Sequence, residues 1–147
     1  MWVAAGAVLS LIAIGAGWIL LQPDSLARTR EQLVAARAGF PLYCLKALPD
    51  GATIPNNSVA THEGVVMFTL DKGANHITVS QQARPKFMEE VEKVKEVAVP
   101  AGKAYVAKLN TRTVGFLVTD KTLVIVSSIQ PMDTDTTAAI LENFVAL

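Results

Sequence analysis

The sequence contains two histidines and one cysteine, the residues whose site chemistry is easiest to recognise. A metal site would need His62 and His76 to converge with further ligands. The strand pattern described below separates them by several residue pairs, so we favour solvated strand ends. Cys44 has no second cysteine to pair with, and we expect it to be a small buried hydrophobe rather than a reactive thiol.

Four glutamates cluster in the sequence and could suggest general acid–base chemistry. They are Glu89, Glu90, Glu92 and Glu96. Lysines are interleaved with them, and pairs four residues apart such as Glu89 and Lys93 are typical of a solvated helix face. The sequence has no nucleophile elbow and no glycine-rich phosphate loop. We therefore predict no catalytic residues, no cofactor, no metal and no enzymatic activity.

The overall charge argues against a polyanionic partner. Lysine and arginine together number 13, and aspartate and glutamate together also number 13. A balanced chain has no net field that would attract nucleic acid. We expect no nucleic-acid binding.

The longest apolar segment, residues 2–21, has no charged side chain and a single polar one, Ser10. A helix of that length spans about 30 Å, the thickness of the bilayer core. Trp2 and Trp18 lie near its ends, where indoles favour the membrane interface. We predict a transmembrane anchor over 1–22 in a cell membrane. The predicted anchor residues are Trp2, Leu9, Leu11, Ile12, Ile14, Trp18, Ile19, Leu20 and Leu21.

Two alternatives compete with the anchor. In a cleaved signal peptide the apolar region is usually shorter, with Lys or Arg before it and an Ala-x-Ala-like site after it. Residues 2–21 show none of these three features. A buried core helix would need more surrounding structure than a chain of 147 residues offers.

The anchor is followed by a predicted amphipathic tether, residues 23–39. Pro23 breaks the apolar run, and a helix is expected over 25–38. Leu26, Leu33 and Phe40 follow one another at intervals of seven residues, as on one face of a helix. This helix would pack on the following domain, lie along the membrane or contact a partner helix.

The remaining residues, 40–147, predict a domain of alternating strands and helices. A short apolar strand is expected over 41–46, followed by an irregular loop over 49–58 and a hairpin over 65–80. A helix is expected from Pro85, because Phe87, Val91 and Val94 have helical spacing. Strands over 103–109, 114–118 and 123–128 predict a meander whose last member is central.

The chain is expected to end in a helix capped by Asp133 or Asp135. Its predicted buried stripe is Ile140, Leu141, Phe144 and Val145. The fold class predicted from these elements is α+β, a mostly antiparallel sheet with packed helices behind a single N-terminal transmembrane helix.

Residues 76–147 carry a resemblance through Ile-Thr-Val-Ser-Gln-Gln, Pro-Ala-Gly-Lys-Ala-Tyr-Val-Ala and Val-Gly-Phe-Leu-Val-Thr-Asp-Lys-Thr-Leu-Val-Ile-Val-Ser-Ser. This pattern resembles a family of uncharacterised bacterial extracytoplasmic domains, often behind a single membrane anchor and sometimes attached to anti-sigma-factor-like proteins. The resemblance implies a domain outside the cytoplasm. It carries no catalytic motif and therefore no functional residues.

The apolar amino-terminal segment with Pro23 after it is also similar in architecture to type IV pilin-like subunits. Pilins typically have an acidic residue early in the apolar helix and a processing site before it, whereas residues 2–21 contain no acid and the predicted carboxyl-terminal helix is not expected in a pilin. This resemblance implies that copies of the chain assemble through the apolar helix. Whether the protein forms a homo-oligomer stays open.

The sequence contains conflicting signals for the side of the membrane on which the domain lies. Arg28, Arg30 and Arg37 follow the anchor, and the positive-inside rule would put the domain in the cytoplasm. Long domains are translocated largely regardless of flanking charge, and with the bacterial resemblance we favour an extracytoplasmic domain.

The function we expect is that of a single-pass membrane-anchored accessory or sensory binding module, whose partner is a membrane-associated protein. A pilin-like or secretion-apparatus structural subunit is the alternative. A lipid- or peptide-binding module, with a sheet face left uncovered, is a third hypothesis.

Overall fold

A computed structural model of the protein describes residues 25–147, which form two short helices and ten strands. In chain order the elements are α1 (Ser25–Ala35), β1 (Tyr43–Leu45), β2 (Ala52–Thr53), β3 (Ala60–His62), β4 (Val65–Lys72), β5 (Asn75–Ala83), β6 (Glu92–Val99), β7 (Gly102–Leu109), β8 (Arg112–Val118), β9 (Thr122–Ser128), α2 (Thr134–Leu141) and β10 (Phe144–Ala146).

Eight of these strands form one antiparallel sheet. Its order is β2-β4-β5-β9-β8-β7-β6, and β3 also pairs with β4. The chain passes from β5 to the far edge at β6 and returns through the meander β7-β8-β9, so that β9 pairs with β5. The remaining strands, β1 and β10, pair with each other in a separate two-stranded sheet.

The predicted hairpin is confirmed as β4 and β5. Val66, Phe68 and Leu70 alternate along β4 and are buried, and Leu70 pairs with Ile77 of β5. The turn between the strands places Gly73 at φ 58°, a left-handed conformation that glycine adopts at little cost. Local alternation and turn chemistry therefore specify this pair.

The predicted meander is also confirmed. Strand β9 lies between β5 and β8, as expected for a central strand. Leu123 and Val124 are adjacent in β9 and both are buried, although adjacent strand residues point to opposite faces of the sheet. Both faces of β9 are therefore covered.

One face of the sheet, which we name the core face, carries the main hydrophobic core. Leu33 of α1, Phe68, Val126, Leu141 of α2 and Phe144 belong to this one cluster of buried side chains. Helix α2 lies close over β8 at Gly115, where an added Cβ would be 2.8 Å from Cγ2 of Thr137 and 3.2 Å from Cδ1 of Leu141. The helix can approach this closely because residue 115 has no side chain.

The β1–β10 pair is joined to the sheet by one buried amide. The Tyr43 N–H donates to Oε1 of Gln81 at 2.7 Å, and Nε2 of Gln81 donates to the Tyr43 carbonyl oxygen at 2.8 Å. Gln81 has no exposed surface. The Gln81 side chain therefore makes the two hydrogen bonds to the unpaired edge of β1 that the backbone of a neighbouring strand would make.

The predicted α+β fold class is wrong. The described part of the chain is mostly antiparallel β-sheet, and its two helices have 11 and 8 residues. Neither helix within residues 25–147 is long and apolar enough to cross a membrane. The transmembrane helix predicted over 1–22 lies outside the described residues.

The helix predicted from Pro85 accounts for much of this error. Residues 85–91 form an irregular loop, and the charged segment after them is strand β6. Val97 and Val99 have a period of two and are buried, and this alternation with pairing to β7 overrides the short helical stripe. The exposed lysines and glutamates of β6 lie on a sheet edge, where charge discourages pairing with other chains.

The carboxyl end confirms a helix but corrects its extent. Asp133 is the N-cap, and its Oδ1 accepts from the Thr136 N–H at 2.6 Å. Helix α2 ends at Leu141, and the predicted stripe residues Phe144 and Val145 lie in β10. Pairing with β1 satisfies their backbone groups, which an isolated last helical turn would leave to solvent.

Candidate functional site

The two histidines lie far apart on the sheet. The His62 side chain is exposed on β3, and its Nε2 is 3.8 Å from Oε1 of Glu63. Nδ1 of His76 is 2.6 Å from Oδ1 of Asp71, across the β4–β5 pair. Within residues 25–147 no three histidine, cysteine, aspartate or glutamate side chains are grouped so that they could hold a metal ion.

The four clustered glutamates do not share a helix face. Glu89 and Glu90 lie in the loop before β6, and Glu92 and Glu96 lie on β6, with all four exposed. The predicted solvation of these side chains holds, although the helix that was expected to present them is absent from this segment.

Cys44 is fully buried in β1, as its apolar sequence neighbours predict. Burial raises the pKa of its thiol, because a thiolate would lose its hydration. The Leu45 backbone and the charge of Arg30 act in the opposite direction and are smaller. A neutral buried thiol is a poor nucleophile.

An exposed phenylalanine marks the first candidate surface. Phe87, in the loop before β6, has 91% of its surface exposed. Met88 and Val91 of the same loop pack on the face of the sheet opposite the core face, which we name the outer face. Tyr105, Phe116 and Leu123 are buried beneath them in a second, smaller hydrophobic cluster.

These loop and sheet residues enclose an open groove of about 260 Å³, which we name the apolar groove. Its lining residues are Pro85, Phe87, Met88, Glu89, Val91, Tyr105, Leu109, Phe116 and Leu123. The floor is firm because the rings of Tyr105 and Phe116 stack with centroids 5.2 Å apart, and Nζ of Lys93 lies 4.7 Å from the Tyr105 ring centroid. Burial also raises the pKa of the Tyr105 hydroxyl, because a phenolate would lose its hydration.

A second surface, which we name the basic cleft, lies where the β6–β7 and β8–β9 turns meet the end of β5. It has a volume of about 600 Å³. Its lining residues are Pro41, Tyr43, Arg84, Ala101, Gly102, Lys103, Val118, Thr119, Asp120 and Lys121. Three of these are cations and one is a carboxylate, so the cleft is locally positive in a chain of zero net charge.

Backbone contacts hold the walls of the cleft in place. An added Cβ at Gly102 would overlap the Val118 carbonyl, so only glycine lets the β6–β7 turn approach β8 this closely. Oγ1 of Thr122 donates to the Pro41 carbonyl at 2.5 Å and thereby fixes the opposite wall. The cleft is consequently a feature of the folded sheet rather than of a loose loop.

Arg84 is positioned at the rim of the cleft by the β8–β9 turn. Its backbone N–H donates to the Lys121 carbonyl at 2.9 Å, and its Nη1 donates to the Thr119 carbonyl at 3.2 Å. A guanidinium has five N–H donors, so most of them remain for a ligand. This cluster was not predicted, and its one signal in the sequence is a set of cations next to predicted turns.

The nine predicted anchor residues all precede residue 25 and lie outside the described part of the chain. A scan against protein-family models and searches of curated proteins and of solved structures found no match to this chain.

Proposed function

We propose that this protein is a single-pass membrane-anchored accessory or sensory module that binds another protein and is not an enzyme. The observation that carries the proposal is Phe87, a large apolar side chain 91% exposed at the rim of the apolar groove. Burying a phenylalanine side chain contributes about 1.5–3 kcal/mol. A partner that covers Phe87 would recover this free energy, which the protein alone leaves unused.

The proposed anchor would allow even a weak interaction with a partner to be effective. The apolar residues 2–21 would hold the domain next to other proteins of the same membrane. Confinement to one surface raises the effective concentration of such a partner, so a modest contact area suffices. The apolar groove is small and open, which suits this kind of contact.

The composition of the groove supports binding rather than catalysis. Its ionisable side chains are Glu89, which is exposed, and Tyr105, whose pKa is raised by burial. A catalytic acid or base near neutral pH would need a pKa close to 7, and a phenol whose pKa is raised moves further from that value.

Photo-crosslinking in native membranes tests the proposal. A photoreactive phenylalanine analogue at position 87 should give a discrete adduct with a membrane-associated protein. The same analogue at position 34, where Val34 of α1 is 66% exposed, is the matched control and should not give that adduct. Identical adducts at both positions, or none at position 87, would contradict the proposal.

Two further experiments test its remaining parts. We propose that the domain lies outside the cytoplasm, so protease digestion of intact cells should cleave it, and a protected domain would contradict this placement. Cysteines placed at Gly6 and Gly15 test the pilin-like alternative, because copies assembled through the apolar segment would form a crosslinked ladder. Native Cys44 contributes little background, since it is buried.

A further inference from the structure

The basic cleft and the apolar groove adjoin each other along the chain. Arg84 lines the cleft, and the next residue, Pro85, lines the groove. Their Cα atoms are about 3.8 Å apart, as in any trans peptide. A ligand seated against Phe87 is therefore within a few residues' reach of the Arg84 guanidinium.

The two ends of this combined surface differ in charge. Arg84, Lys103 and Lys121 line the cleft at one end, whereas Glu89 lines the groove. The three side-chain ion pairs found within residues 25–147 are formed by other groups, His62 with Glu63, His76 with Asp71 and Lys95 with Asp135. The cleft cations have only Asp120 beside them in the cleft lining. The end near Arg84 thus favours an anion, whereas at the groove end the Lys93 ammonium over the Tyr105 ring offsets the charge of Glu89.

We propose that one extended segment of the protein partner occupies both surfaces, with an apolar side chain in the groove and carboxylates in the cleft. This inference rests on the proposed function, since it names the chemistry of the partner. A carboxylate suits Arg84 because a guanidinium donates two parallel hydrogen bonds to it. Lys103 and Lys121 complement further acidic residues by charge.

The held geometry of Arg84 lowers the cost of this recognition. Its backbone is bonded to the Lys121 carbonyl and its Nη1 to the Thr119 carbonyl. Less side-chain freedom is lost on binding when the guanidinium is already oriented. Arg84 should therefore contribute more to affinity than Lys121, whose ammonium is a mobile point charge.

The test uses the full chain in detergent and fluorescence anisotropy of a labelled peptide, Leu-Glu-Asp-Glu. A neutral peptide, Leu-Gln-Asn-Gln, is the matched control probe. We expect the acidic probe to bind more tightly, and added salt to weaken its binding because the cleft is open to solvent. Equal binding of the two probes, or no binding of the acidic one, would overturn the inference.

Variants locate the binding site. We expect Arg84→Gln to weaken acidic-probe binding about tenfold and Lys121→Gln about two- to fivefold. Phe87→Ser should weaken the acidic and the neutral probe by similar factors. Lys72→Gln is the control, because Lys72 ends β4 at the opposite end of the sheet from Arg84. A loss in Lys72→Gln equal to that in Arg84→Gln would overturn the inference.

Competitors separate the sources of negative charge. Inorganic phosphate or anionic phospholipid vesicles that displace the acidic probe at low concentration would show a phosphate or lipid site and contradict the peptide inference. Melting curves of each variant verify that it is folded. If crosslinking at position 87 finds a protein partner while the acidic probe fails to bind, this inference fails and the proposed function stands.

Discussion

Replacing Gln81 by leucine should destabilise the protein more than its size change suggests. Gln81 is fully buried, and its amide makes two hydrogen bonds to the backbone of Tyr43, at 2.7 and 2.8 Å. Gln81→Leu removes both bonds and leaves the Tyr43 N–H and carbonyl without these partners. An unsatisfied buried polar group costs about 1–3 kcal/mol.

Two such groups give an upper range of about 2–6 kcal/mol. Tyr43 also lines the basic cleft, so water reaches its surroundings more easily than it reaches the main core. We therefore expect a loss of about 2–4 kcal/mol in the free energy of unfolding. This is a large part of the stability of an ordinary small domain.

Urea unfolding followed by circular dichroism measures this loss. With a slope of about 1.5 kcal/mol per M, the midpoint should fall by about 1–3 M. Gln82→Leu is the control, since Gln82 is the next residue of β5 and makes no such bridge to β1. Equal midpoints for the two variants would refute the proposed role of the buried amide.

Three further predictions concern packing, capping and the thiol. Gly115→Ala should cost about 1–3 kcal/mol through overlap with Cγ2 of Thr137, and Thr137→Ser in the same chain should recover part of it in chemical denaturation. Asp133→Ala should lower Tm at neutral pH, because the hydrogen bond from the Thr136 N–H holds the pKa of Asp133 below its ordinary 3.8. A lowered pKa gives stability that is present above 3.8 and lost as the pH falls through the folded-state value, so thermal melts of both proteins should converge in acid. Cys44 should react with a disulfide reagent at least about tenfold faster in urea than in the native protein, and equal rates would contradict its burial.

The parts of the fold that sequence could predict are those specified locally. Strands β4 and β5 combine strict alternation with a tight turn at Gly73, and the meander β7-β8-β9 has the same kind of signal. Both depend on neighbours within a few residues. Sequence patterns detect such neighbours without knowledge of the rest of the fold.

The missed parts depend on distant pairing. Strand β1 was predicted, but its partner β10 comes from the carboxyl end of the chain, where a helix was expected. Strands β2 and β3 are short segments that take their strand conformation from β4. The segment before β6 was misassigned because Phe87, Val91 and Val94 match a helical period by their spacing alone. Phe87 was expected in the apolar stripe of a helix and instead lies in a loop with 91% of its surface exposed.

The basic cleft was hidden from sequence analysis for a similar reason. Arg84, Lys103 and Lys121 come from three separate turns or strand ends. They meet because β9 pairs with β5 and because the β6–β7 turn packs against Val118. Neither contact can be predicted from the residues next to it in the sequence. The zero net charge of the whole chain therefore does not describe this surface.

Protection of a residue next to Phe87 in the native membrane is the most direct measure of whether the Phe87 surface is occupied by a partner. In Lys86→Cys, which leaves Phe87 in place, we expect a maleimide to label residue 86 rapidly in the purified protein and several times more slowly in native membranes. Val34→Cys, at a site 66% exposed on α1, should label equally fast in both. Equal labelling rates at position 86 in the two preparations would contradict a membrane-anchored module that binds its partner through the Phe87 surface.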